Sequence, residues 1–256
     1  MLLKGASTSL SWILVVGLAI PLTGLGETLP AVQIAEKARL KDLENLKKYG
    51  ATSCRLIEVK EELDEKGVTE ERDVKALTLS LSSAPIPGGK ETQRISPQIH
   101  REKNAEDVSV LDRLHWFDWK LEKEEDALGE ACYRLAFSPK YGVRTSGARE
   151  LILSRSRGRC WVAKRDYSKM RLEGRLIRPV EMAGFLVTVR EVDYLTTSRR
   201  LQPMLAVPEQ IRYRFRVEVF PAFEFHERHT QKFDFSDAAK SMASPKDQKG
   251  GMAGLN

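Results

Sequence analysis

The segment Ile211–Val219 (IRYRFRVEV) constrains the fold more than any other stretch of the chain. Ile211, Tyr213, Phe215, Val217 and Val219 alternate with Arg212, Arg214, Arg216 and Glu218. A period of two puts every apolar side chain on one face of an extended strand and every charge on the other, whereas a helix would scatter them around its axis. Such a strand needs neighbours of the same kind, with one face covered and the other wet.

Those neighbours are present. Trp116–Glu122, Ala131–Ser138, Glu150–Ser154, Arg159–Lys164, Ser168–Ile177, Phe185–Val192, Gln202–Val207 and Phe223–Phe235 read as strands. Cys54–Glu62 and Val68–Leu81 flank an acidic-to-glycine loop and read as a hairpin. An acidic turn is expected at Glu124–Gly129 and a basic one at Arg155–Gly158. Ala31–Lys48 lacks Gly and Pro and carries Leu40, Leu43 and Leu46 at helical spacing, so it reads as an amphipathic helix closed at Gly50. Glu102–His115 reads as a second, shorter helix. Between them, Ser82–His100 is a long Pro/Gly loop.

The fold class is α+β, mainly antiparallel β, with about nine to eleven strands and two helices. A sheet this wide must curl. A curled sheet with one wet and one apolar face needs a cover for the apolar face, and two helices and a long loop are available to supply it.

The chain start reads as an export signal. Lys4 precedes the apolar run Trp12–Ile20, which Pro21 breaks, and Gly24-Leu25-Gly26 supplies small residues for cleavage near Gly26. An uncleaved anchor is the alternative. Residues 27–236 then form one domain, and 237–256, small and polar, a disordered tail. The expected place of action is an exported, oxidising compartment. Lys and Arg number 42 against 36 Asp and Glu, a mild excess that, with export, makes nucleic acid no expected partner. Cys132 and Cys160 lie in neighbouring strand-like segments and could bridge in an oxidising compartment; two buried thiols are the alternative.

Several phrases resemble exported bacterial proteins related to outer-membrane lipoprotein carriers, the LolA-like and LolB-like group. The hairpin Glu58–Glu71, the run Cys132–Lys140 ending Phe137-Ser138-Pro139-Lys140, the segment Gly158–Val162 with Trp161, and Leu172-Glu173-Gly174 occur in that group's order. The resemblance spans roughly Ala31 to Phe235. It implies a curled incomplete barrel, unclosed, with two helices covering the concave face over an apolar cavity, and, in the periplasm, carriage of a lipid or lipoprotein acyl chain or sensing of mislocalised lipoproteins. No lipid-attachment Cys stands near the cleavage point, which speaks against a membrane-anchored acceptor.

No catalytic signature is present: there is no G-x-S-x-G, H-E-x-x-H, P-loop or G-x-G-x-x-G. No enzyme, cofactor or metal site is expected. His226 and His229 would face opposite sides of a strand. The residues expected to wall a ligand cavity are Trp119, Leu121, Tyr133, Leu135, Phe137, Leu172, Phe185, Val187, Tyr213, Phe215 and Val217, with plain core packing as the alternative. Ser82–His100 is the lid candidate. Arg155, Arg157, Arg159, Arg199 and Arg200 could meet anionic headgroups in a transient membrane-surface contact, or form a solvated face. The expected function is an exported, non-catalytic carrier of a lipid or lipoprotein acyl chain. An envelope sensor or protein-binding module using the same sheet is the alternative, and an envelope hydrolase is the more distant one.

Overall fold

The computed structural model describes residues 29–49, 53–80, 109–183, 186–221 and 223–236. The export signal through Gly26, the Ser82–His100 loop, the start of the second helix, Phe185 and the 237–256 tail lie outside the described residues.

In chain order the elements are α1 (Ala31–Tyr49), β1 (Ser53–Leu63), β2 (Thr69–Ser80), a 3-10 segment (Val110–Trp116), β3 (Phe117–Ala127), β4 (Glu130–Pro139), α2 (Ala148–Leu153), β5 (Ser156–Ala163), β6 (Lys169–Leu176), β7 (Val180–Met182), β8 (Val187–Gln202), β9 (Leu205–Val219) and β10 (Phe223–Asp234). The ten strands form one antiparallel sheet in the order β2-β1-β10-β9-β8-β6-β5-β4-β3, with β7 added against β8. Its path ends at β2 and β3, so it is an open, incomplete barrel. Helix α1 touches β3, β5, β6 and β9, and the sheet therefore wraps around it.

Helix α1 buries its small side. Ile34, Ala35 and Ala38 are fully buried against the core, while Leu40, Leu43 and Leu46 remain 53%, 41% and 36% exposed. Short side chains let the helix axis approach the strands closely. Under it, Val110, Leu111, Phe117, Leu135, Phe137, Cys160, Val162 and Leu172 form the main core.

Several boundaries differ from expectation for physical reasons. Glu150–Ser154 is not a strand but most of α2: Ser146 donates its main-chain N–H and its hydroxyl to the Glu150 carboxylate, both at 2.8 Å, and this fixes the first turn. The acidic turn shrinks to Leu128-Gly129, both with positive φ, because β3 continues through its carboxylates. Those carboxylates are matched across the sheet: Glu122 and Glu125 meet Arg134, and Glu124 meets Lys164. The basic turn at Arg155–Gly158 is largely the start of β5. Gln202–Val207 and Ile211–Val219 belong mostly to one strand, β9, which bulges near Pro208. The described part of the expected second helix is a 3-10 segment, held by a reciprocal cap between Ser109 and Asp112.

The proposed Cys132–Cys160 bridge is not formed, and all three cysteines are free and buried. The register pairs Leu135 with Cys160 and Cys132 with Ala163. Cys132 and Leu135 are three residues apart on one strand, so the two thiols point to opposite faces of the sheet.

Candidate functional site: an apolar lane on the inner face

Pairing register places Trp119, Phe137, Gly158, Gly174, Tyr194, Tyr213, His229, Lys60 and Asp73 in one cross-strand row on the inner face. The row starts aromatic at β3 and ends charged at β2. Chemistry thus changes along the curl. Helix α1 lies over the β3–β6 part and also touches β9, and from β9 to β2 the row grades into polar groups.

The expected wall residues divide along this row. Leu135, Phe137 and Leu172 are packed into the core, and Trp119, Leu121 and Tyr133 pack against it. Trp119 also donates its indole N–H to the Leu114 carbonyl at 3.2 Å, and its ring lies 5.5 Å from that of Phe137. Leu135, Phe137 and Leu172 are thus core in the folded chain, and Trp119, Leu121 and Tyr133 are half-buried at its edge. Val187, Tyr213, Phe215 and Val217 are half-buried on the same face but farther along the curl.

These four continue into a lane the sequence reading left out. Val217 stands opposite Phe225 and Val189, and Val219 stands opposite Phe223 and Val187. Phe223 and Phe225 are 65% and 47% exposed. Strand alternation runs Phe223, Phe225, Glu227, His229, so the apolar half of β10's inner face is short and hidden in a charged segment. Phe223, Phe225, Phe215, Val187, Val217 and Val219 make a strip of apolar surface three strands wide.

At its upper end the lane meets a stack. The Tyr213 and His229 rings lie 5.0 Å apart at 15°, and Phe215 lies 5.5 Å from His229. His229 Nε2 is 2.8 Å from a Glu227 oxygen, and Lys60 reaches the same carboxylate at 2.9 Å. Burial pushes the Glu227 carboxyl up, but His229 and Lys60 outweigh it and hold the group below its ordinary value. A small hollow of about 160 Å³ opens beside this stack, among Glu58, Lys60, Asp73, Tyr213 and His229. His226, on the other face, has its Nδ1 2.9 Å from the Asp64 carbonyl oxygen.

A second network ties the sheet to α1. Arg200 binds Asp166 and Glu130, while Ser168 donates its N–H and hydroxyl to Asp166 and receives the Asn45 amide. Burial works against the Asp166 charge, yet Arg200 and Ser168 hold its carboxyl at about 2. The thiols are poor nucleophiles: burial pushes Cys54 and Cys132 up to about 11 and Cys160 up to about 12. The outer face is arginine-rich and carries a groove of about 1000 Å³.

No family model and no curated protein matches the chain. Solved structures similar to it include a LolA superfamily protein from Nitrosomonas europaea, 12% identical, with 81% of this chain and 92% of that one covered and a TM-score of 0.32. An outer membrane lipoprotein-sorting protein domain from Vibrio parahaemolyticus is 12% identical over 78% and 91% of the two chains, with a TM-score of 0.33. A DUF1329 family protein from Desulfovibrio piger is 13% identical over 81% and 92%, with a TM-score of 0.30. Identities and TM-scores this low carry neither ligand nor partner from those proteins to this chain.

Proposed function

We propose that the protein is an exported, non-catalytic carrier of the cell envelope that lays a lipid or lipoprotein acyl chain along the inner-face lane of β8, β9 and β10. The observation that carries this reading is the half-covered strip Phe215–Val217–Phe225 beside Val187, which leaves apolar surface unsatisfied by the chain's own described atoms. The site is thereby shifted from the space beneath α1, where Leu135 and Phe137 leave no room, to the open end of the curl.

Energetics fit carriage. Each acyl CH₂ removed from water contributes about 0.8 kcal/mol. A lane open on one side covers only part of a chain, so affinity stays moderate and release stays feasible. The periplasm and a passing contact with a membrane surface belong to the same reading.

A second reading has an observation of its own. The lane runs straight into Tyr213, His229, Lys60 and Glu58, a stretch of mixed polarity. That surface suits a protein segment with apolar and charged side chains, as in an envelope sensor. Titration with a fluorescent fatty acid separates the two. The carrier reading expects saturable binding that Phe215→Asp weakens at least tenfold. Absence of binding, together with a co-purifying protein, favours the second.

A further inference from the structure

The outer face offers a site independent of the acyl lane. Its groove of about 1000 Å³ is lined by seven arginines against three carboxylates, an excess of four positive charges. Most of the arginines are neutralised. Arg159 reaches Glu122 at 2.9 Å, Arg171 reaches Glu173 at 2.6 Å, Arg214 reaches Asp193 at 2.5 Å and Arg228 reaches Glu61 at 3.4 Å. Arg157, Arg175 and Arg212 have no ion pair or hydrogen-bond partner among the described residues.

Two of these three face each other. Arg157 on β5 pairs in register with Arg175 on β6, on the same face. Like charges directly opposite each other on a sheet are destabilising. Asp193, the register neighbour of Arg175 on β8, is engaged by Arg214 instead. Beside the pair the groove is also lined by Gly158, Gly174, Ala136 and Leu195.

We propose that this groove binds a phosphomonoester, with Arg157 and Arg175 converging on the phosphate and Arg212 guiding it from the β9 side. The two arginines stem from directly opposed positions on neighbouring strands, and the nearby Asp193 is already engaged by Arg214. A phosphomonoester carries about −1.5 to −2 charge at neutral pH and three acceptor oxygens, which matches two forks. A soluble metabolite and a lipid headgroup both present such a phosphate, and the chemistry of the pair is the same for both.

The test uses the full chain and three probes: inorganic phosphate by calorimetry, phosphatidylcholine vesicles with and without phosphatidic acid by co-sedimentation, and an oligoglutamate peptide. Binding of free phosphate, or sedimentation that requires phosphatidic acid, supports the site and tells the soluble source from the lipid one. The double variant Arg157→Gln/Arg175→Gln should weaken that binding at least tenfold and raise the thermal midpoint, because it removes a like-charge contact. Lys66→Gln, on the β1–β2 turn, should leave both unchanged. Binding unaffected by the double variant, preference for oligoglutamate, or no binding of any probe overturns the proposal.

Discussion

The ring of Tyr194 lies on Gly174: a side-chain carbon at residue 174 would stand 2.3 Å from the phenol oxygen. The two residues are cross-strand partners on β6 and β8, and Gly158 is the next partner along the row. At Gly158 the added carbon would meet the Glu173 carbonyl oxygen at 1.9 Å and the Phe137 ring at 2.7 Å. A ring can turn away, but main chain in a paired strand cannot. Gly174→Ala should therefore cost about 1–3 kcal/mol, and Gly158→Ala more than that. Urea melts of the two variants check the order, and equal or negligible losses would refute this packing.

Tyr194 has a second consequence. Its hydroxyl is buried with no hydrogen-bond partner among the described residues, and burial pushes its pKa up. Leaving a polar atom unpaired costs about 1–3 kcal/mol. Tyr194→Phe should thus be neutral, or more stable by up to about 1 kcal/mol. A clear loss in denaturant midpoint would mean the hydroxyl is bonded.

Acid should act through Asp166. Its folded-state pKa of about 2 lies below the ordinary 3.8, so its contribution to stability is complete above about pH 4 and is lost as pH falls toward 2. Asp166→Asn should flatten the stability curve in that window. At neutral pH it should cost about 3 kcal/mol, since it removes the charge of the buried Asp166 from a half-buried Arg200 that keeps Glu130. Circular dichroism across the acid range gives both numbers. An unchanged acid limb would remove Asp166 from the account.

The thiols should be silent in the folded protein. Cys54, Cys132 and Cys160 are buried and their pKa values lie at about 11 to 12. A thiol reagent at neutral pH should label none of them natively and all three after unfolding. A native mass two hydrogens lighter, tracing to Cys132 and Cys160, would contradict their placement on opposite faces.

The β9 alternation was readable because one of its faces is nearly all charge. The strands and the extent of helix α1 follow from patterns of that kind, but the Leu40, Leu43 and Leu46 stripe marks the exposed side of α1, and its buried side is the small one of Ile34, Ala35 and Ala38. The acidic end of β3 was not readable, because charges partnered across strands by Arg134 and Lys164 look in sequence like a solvated turn. Helix α2 was missed because Leu151-Ile152-Leu153 is too short for a period, and its defining contact from Ser146 is local. At the site, alternation assigned the right face to the wall residues but not their depth. Whether Phe137 is core or Phe215 is lane depends on where α1 stops covering the sheet, and that is set by contacts far apart in sequence. Phe223 and Phe225 escaped notice because only two apolar residues precede the charged part of their strand face.

The most direct measurement is native mass spectrometry of the protein taken from the cell envelope under gentle conditions, beside the Phe215→Asp/Phe225→Asp variant. The account predicts adducts with the masses of acylated lipids or lipopeptides on the unmodified chain and their loss from the variant. An adduct-free chain that also fails to take up added fatty acid, or adducts that persist in the variant, would contradict carriage on the β8–β10 lane.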